Sequence, residues 1–129
     1  PVFHDGALLY FGDGHAAQGD GELNGDALET SMNFAFVARV IKGKPKIDFP
    51  LIEDDEHIVA MGMSKTLEMA LKNATQGLLD WIQWDYGLTL KEATQVIGHL
   101  TEYRIPTLAG PRLEVAAMLK KEHLKRFKK

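Results

Sequence analysis

The sequence has no cysteine. That excludes a disulfide scaffold, a thiolate-held zinc or iron–sulfur centre, and a thiol nucleophile. It leaves the compartment open, because cytosol and periplasm both accommodate such a chain; the cytoplasm is the expected location. Lysine and arginine are missing from residues 1–38, where Asp5, Asp13, Asp20, Glu22, Asp26 and Glu29 lie, whereas the tail from Lys120 carries five lysines and Arg126. Chemistry that uses ionised side chains is therefore expected at the acidic end. Overall, 15 basic residues against 18 acidic give a formal charge of −3, which does not favour a nucleic-acid partner. No apolar run approaches the roughly 18 residues of a membrane span, and no charged leader precedes a short apolar core. A soluble chain with no membrane partner is expected. No internal repeat or low-complexity linker is present.

The 129 residues, 45% hydrophobic and 26% charged, fit one domain over residues 1–129. A domain of this size buries roughly two thirds of the surface its unfolded chain exposes, so folding needs no staple.

The first half reads as strands and loops. Ala7 to Phe11 is an apolar run of strand length, followed by Gly12 to Gly25, which holds five of the twelve glycines and must be loop. Asn33 to Ile41 is rich in aromatic and β-branched residues and reads as a strand, with a turn at Lys42 to Pro45. Lys46 to Ile52, interrupted by Pro50, reads as an edge strand, and His57 to Met63 as another after the acidic turn Glu53 to Glu56. The second half changes period. Leu67, Leu71, Ala74, Leu78 and Ile82 mark an amphipathic helix with Ser64 as the expected N-cap and a stop at Gly87. Thr89 and Glu92 form a capping box that opens a second helix to about Leu100. Tyr103 to Pro106 is short and extended. Leu113 to Leu124 is ambiguous, since its composition favours helix while its alternation favours strand. The class is α+β: a β-rich first half of sandwich-like strands, then two consecutive helices.

One segment stands out chemically. Gly12-Asp13-Gly14-His15-Ala16-Ala17-Gln18-Gly19-Asp20-Gly21-Glu22 sets one imidazole and three carboxylates between glycines. Gly14 to Gly19 has the glycine interval of a P-loop, but Asp20 occupies the lysine position and repels phosphate. The pattern G-x-G-x-x-G fails at Ala17. A calcium loop begun at Asp20 ends on Ser31 where a glutamate is required. The segment does suit a divalent ion with an open position for water. In that arrangement Asp13 and His15 bind the ion and Glu22 takes a proton from the water. Two ligands are too few, so others must come from elsewhere in the fold; Glu29 lies where a following strand can turn it inward.

This loop and its surroundings resemble the acetamidase/formamidase family, whose members carry GD-x-HA-x-x-GDGE followed by a strand bearing a glutamate. The likeness extends over Pro1-Val2, Gly6-Ala7-Leu8, Gly12 to Glu22, Ala27-Leu28-Glu29 and Ala74 to Ala93. It implies hydrolysis of short carboxamides to carboxylate and ammonia, with a divalent metal, zinc first, as cofactor. It also implies a small amide as substrate and a homo-oligomer. In the mechanism expected, Asp13 and His15 hold the ion, Glu22 activates water, and Asp20 orients the site or stabilises a proton position. Family members are longer, and this sequence looks like their C-terminal part, so the missing N-terminal portion or an equivalent subunit is an expected partner. Where the family shows S-x-x-G-D-L-R-I-S, this chain reads Gly98 to Pro106, with Glu102 in place of the aspartate. The alternative is a non-catalytic remnant of the same fold that pairs with a separate β-rich chain.

Other features have plainer readings. His4, His57, His99 and His123 sit in no motif and read as structural. Trp81, Trp84, Met61, Met63 and Met69 read as core or oligomer packing, and the basic tail as a solvated terminus. An N-terminal Pro1 is the general base of some small tautomerases, but removal of a methionine or the cutting of a longer chain explains it equally well.

Overall fold

The structure, a computed structural model, describes residues 4–9, 11–43 and 47–127. Its elements in order are β1 His15–Ala17, β2 Leu28–Glu29, β3 Leu51–Glu53, β4 His57–Ser64, α1 Leu67–Tyr86, α2 Leu90–Leu100, β5 Glu102–Arg104, β6 Leu113–Lys120 and a short α3 Lys121–Leu124, continued by a 3₁₀ turn at Lys125–Phe127. The fold is α+β as expected, with four of these six strands preceding the first helix. The described residues form two antiparallel sheets, a β1–β2 ribbon and a four-stranded sheet in the order β3-β4-β6-β5. Among the described residues no helix is long and apolar enough to cross a membrane.

The four-stranded sheet is built on β4 and β6, which pair over eight registered positions from His57↔Lys120 to Ser64↔Leu113. Period-two alternation divides their side chains between two faces. Ile58, Ala60, Val115, Ala117 and Leu119 join Ala70, Ala74, Leu78, Trp81 and Ile82 of α1 in the main core, which Ala93 of α2 and Leu124 of α3 complete. Val59, Met61 and Ala116 form a smaller cluster packed by Met118. This settles Leu113 to Leu124: eight long-range strand pairs override the helix propensity of its alanines and lysines, and only Lys121–Leu124 turns helical.

The small residues of α1 let it lie unusually close to β4. A Cβ placed on Gly62 overlaps the Ala70 carbonyl and the Ala74 amide nitrogen of α1. At α1 the cap differs from expectation. Ser64 ends β4, and Thr66, two residues on, is the N-cap; its hydroxyl accepts from the Met69 amide at 3.3 Å. Ser64 is committed to the ladder opposite Leu113, so the cap falls to the next hydroxyl outside the strand. The helix ends at Gly87 as expected. The Thr89–Glu92 capping box is present in both directions. β3 lies at the sheet edge as expected, but it starts only after Pro50, so that Ile47 to Phe49 are not strand, and it takes in Glu53, which was expected in the turn.

Two strands expected in the first half do not form. Described residues of Ala7 to Phe11 and all of Asn33 to Ile41 carry no strand pairing and are exposed. Their composition suits a half-buried pleated surface, but among the described residues no neighbouring strand lies beside them. Phe11, Phe34 and Phe36 instead gather against one another, with ring centroids 4.2–6.4 Å apart. Pro1-Val2, Tyr10, Lys44 to Lys46 and Lys128 to Lys129 lie outside the described residues, and with them part of the expected turn and of the basic tail. The described part of that tail is anchored, with Lys121 Nζ 2.6 Å from Glu53 Oε1 and Leu124 fully buried.

Candidate functional site

The β1–β2 ribbon is what brings the chemistry together. His15 and Glu29 are direct cross-strand partners, while Ala17 faces Leu28, so three residues of β1 oppose two of β2. An irregularity of this kind re-aims side chains locally. Thr30 N–H donates to the Gly14 carbonyl at 2.8 Å and extends the pairing past His15. Asp13 precedes it with φ of 64°, in the left-handed region that aspartate tolerates better than most residues. That turn carries the Asp13 carboxylate back toward the imidazole.

Three side chains converge as a result. His15 Nε2 lies 3.4 Å from Asp13 Oδ2 and 3.6 Å from Glu29 Oε1. One ligand-type atom from each of the three falls within 4.8 Å of the others. These separations have a direct reading. Two ligand atoms each about 2.1 Å from a tetrahedral ion stand roughly 3.4 Å apart along the tetrahedron's edge, which the two N···O distances match. They are also too long for ordinary hydrogen bonds. The His15 side chain keeps 26% of its surface exposed, which leaves access for water or a small molecule.

Electrostatics follow from the crowding. The Asp13 carboxyl is held below its ordinary value, first by its contact with Glu29 and then by His15. Glu29 is pushed up, chiefly by Asp13. His15 is raised, foremost by its hydrogen bond to Gln18 and then by Asp13 and Glu29. The site therefore gathers negative charge that a cation would neutralise.

The loop that follows is fastened to the second half of the chain. Gly21 N–H donates to the Ile105 carbonyl at 2.6 Å and Leu108 N–H to the Gly21 carbonyl at 2.8 Å. Gly21 is buried with φ of 86°, a conformation that favours glycine. Gln18 Nε2 donates to the Pro106 carbonyl at 2.9 Å, and Arg104 Nη1 donates to Asp20 Oδ2 at 3.1 Å. Glu22, half-buried with φ of 45°, lines a cleft with Gln18, Asn24, Asp26 and Leu28.

Of the residues singled out in the sequence, Asp13 and His15 thus come together, and Glu29 joins them as the third. Asp20 and Glu22 are not in that group. Asp20 faces Arg104, and Glu22 stands in the adjoining cleft that shares Gln18 with His15. Glu102 is exposed on β5 opposite Met118. His4, His57, His99 and His123 lie outside the group as well. Trp81 is buried, and its Nε1 donates to Asp85 Oδ2 at 2.8 Å. Sequence reasoning missed Gln18, since an amide carries no charge to mark it; its only signal is its position three residues after His15 in the same turn.

Comparison with known proteins adds an independent line. The Acetamidase/Formamidase family matches residues 1–99. No curated protein matches the chain. Among solved structures it is similar to an acetamidase from Yersinia enterocolitica, with 31% identity and a TM-score of 0.72 over 85% of this chain and 33% of that one. It is also similar to an acetamidase from Bacillus halodurans, with 18% identity and a TM-score of 0.69 over 88% of this chain and 38% of that one. A third, a predicted acetamidase/formamidase from the thermophile Thermoanaerobacter tengcongensis, gives 19% identity and a TM-score of 0.71 over 88% and 37%. The last two bear on the fold alone. The chain spans between 33% and 38% of the length of these solved chains.

Proposed function

Because the chain belongs to the acetamidase/formamidase family, we propose that it carries the ion-binding loop of an amidase that cleaves short carboxamides to carboxylate and ammonia. The observation that carries this reading is the convergence of Asp13, His15 and Glu29, with the two carboxylates 3.4 and 3.6 Å from His15 Nε2 and all three ligand-type atoms within 4.8 Å of one another. Two carboxylates and one imidazole suit zinc or a similar divalent ion, with a further position left for water. Asp13, His15 and Glu29 would hold it. When bound, such an ion makes water a better nucleophile near neutral pH and polarises a carbonyl oxygen.

The remaining steps belong to the chain's own residues. Glu22, in the adjoining cleft, accepts a proton from the attacking water and returns it to the amide nitrogen as the C–N bond breaks. Water thereby supplies hydroxyl to the acyl carbon and one proton to the departing ammonia. Asp20 adds an exposed ion pair with Arg104 beside the main-chain bonds that hold the loop. The main-chain bonds of Gly21 to Ile105 and Leu108 hold the loop against the segment after β5. The test measures zinc content and ammonia release from formamide and acetamide for the chain joined to the portion its longer relatives possess, beside its Glu22→Gln variant. Zinc near one equivalent, with turnover lost in the variant, is the expected result; full turnover in Glu22→Gln removes that glutamate from its role.

A second reading is favoured by the exposed apolar stretch. Leu8, Leu9, Phe11, Phe34, Phe36, Val37, Val40 and Ile41 are between 49% and 89% exposed, in two segments that no strand covers among the described residues. In this reading the chain is a non-catalytic subunit whose unpaired segments are covered by a separate β-rich chain. Stable co-elution with such a chain, without zinc or ammonia release, is the outcome that selects it.

A further inference from the structure

The imidazole of His15 has two nitrogens, and only one of them faces the carboxylates. Nε2 lies beside Asp13 and Glu29, while Nδ1 is 2.8 Å from Gln18 Oε1. Which nitrogen carries the proton decides whether Nε2 can offer a lone pair. That choice is fixed one residue further out. The Pro106 carbonyl, 2.9 Å from the Gln18 side chain, can only accept. The atom facing it must therefore be the amide nitrogen, and the other end of the same amide, turned to His15, must be the oxygen. An amide oxygen can only accept, so His15 Nδ1 must donate. In the neutral ring the lone pair then belongs to Nε2, on the side of Asp13 and Glu29.

From this chain of contacts we infer that Gln18 is a positioning residue, which transmits the polarity of the Pro106 carbonyl to His15 and fixes the tautomer that binds a cation through Nε2. The inference rests on the reading of Asp13, His15 and Glu29 as ligands of a divalent ion. It deepens that reading by tying the ligand loop to main chain of the second half, 88 residues away in sequence between Gln18 and Pro106. Partners of this kind raise the basicity of a ligand imidazole and hold its plane, and their removal typically weakens metal binding by about 10–100-fold. Toward the ion, Gln18 acts through His15 and not as a ligand itself.

The experiment compares wild type, Gln18→Leu and Gln18→Glu. Leucine removes both contacts, whereas glutamate keeps an acceptor for Nδ1 but cannot donate to Pro106. One readout needs no ion: long-range proton–nitrogen spectra of metal-free protein, at a pH where His15 is neutral, report which ring nitrogen is protonated. The other is zinc affinity by chelator competition. Gln18 is exposed and the Gly21 main-chain bonds are untouched by either change, so all three proteins are expected to melt alike. Wild type and Gln18→Glu are expected to hold the proton on Nδ1 and to bind zinc comparably. Gln18→Leu is expected to lose the fixed tautomer and to bind about 10–100-fold more weakly. Equal zinc affinity and the same tautomer in Gln18→Leu and wild type overturn the inference alone. Wild-type protein that takes up no zinc overturns the ion reading itself, and the inference with it.

Discussion

Asp20 and Arg104 face each other at 3.1 Å, joining the glycine-rich loop to β5 across 84 residues of sequence. Both side chains remain more than half exposed, and exposed pairs of this kind contribute little to stability. Four contacts nonetheless converge on the segment 104–108: this pair, the Gln18–Pro106 bond and the two main-chain bonds of Gly21. Two of these four are main-chain bonds of Gly21, which substitution of Asp20 or Gln18 leaves in place.

It follows that Asp20→Asn leaves the loop in place. The urea midpoint is expected to match wild type, and zinc affinity to change by less than about threefold, well under the effect of losing a residue that supports a ligand. Chelator competition and urea unfolding on the same preparation check both. A collapse of zinc affinity with unchanged stability would instead make Asp20 part of the ion site.

Glu29 is a stronger case. As cross-strand partner of His15, with its carboxylate 3.6 Å from Nε2, it would supply the third donor in the proposed ion site. Glu29→Gln keeps the shape but loses the charge, so zinc affinity should fall by more than the about 10–100-fold typical of supporting residues. Asp26→Asn serves as the control, because Asp26 reaches Glu29 only through weak, longer-range repulsion. If the two variants bind zinc equally, Glu29 is not a ligand.

The pH dependence has two opposite signs. To bind an ion His15 must be neutral, and its pKa is raised above the ordinary 6.5, first by Gln18. Protons therefore compete to a higher pH than they do for a free histidine. Zinc affinity should fall as pH drops through that raised value, with about one proton exchanged per ion. Metal-free stability behaves differently. A group whose pKa is raised on folding stabilises the fold fully below its unfolded value, and that contribution is lost as pH rises through the folded value. Zinc titrations and metal-free urea midpoints measured from about pH 5 to pH 8.5 should thus run in opposite directions. Parallel trends would show that His15 does not govern both.

Much of the fold was legible because local rules and tertiary structure agreed. The capping box at Thr89, the stop at Gly87 and the edge position after Pro50 depend on a few neighbouring residues, and each is found. Leu113 to Leu124 was not legible. Its local preferences conflict, and only pairing with β4, between 49 and 63 residues earlier in the chain, decides between them. The strands expected near Ala7 and Asn33 failed for the complementary reason: side chains suited to a sheet do not create the neighbouring strand that they need. At the site, charge made Asp13 and His15 visible. Glu29 needed the register of a two-residue strand, and Gln18 needed the position of a carbonyl from the other half of the chain.

Close packing of β4 on α1 yields a test in which one substitution has two signs. At Gly62 an added methyl would meet the Ala70 carbonyl and the Ala74 main chain. These are backbone atoms within a helix whose opposite ends are fixed by Thr66 and Gly87, so they cannot yield as a flexible side chain would. Overpacking of this type costs about 1–3 kcal/mol, and more where backbone must move. At Gly98, in α2, a methyl would meet nothing within 4 Å, and alanine in a helix is favoured over glycine by about 0.5–1 kcal/mol. Gly62→Ala should therefore lower the urea midpoint and Gly98→Ala should raise it, both with an unchanged m-value. Since both exchanges reduce unfolded-chain freedom alike, their difference isolates the contact at Gly62. A Gly62→Ala protein as stable as Gly98→Ala would mean that α1 does not lie against β4 at that point.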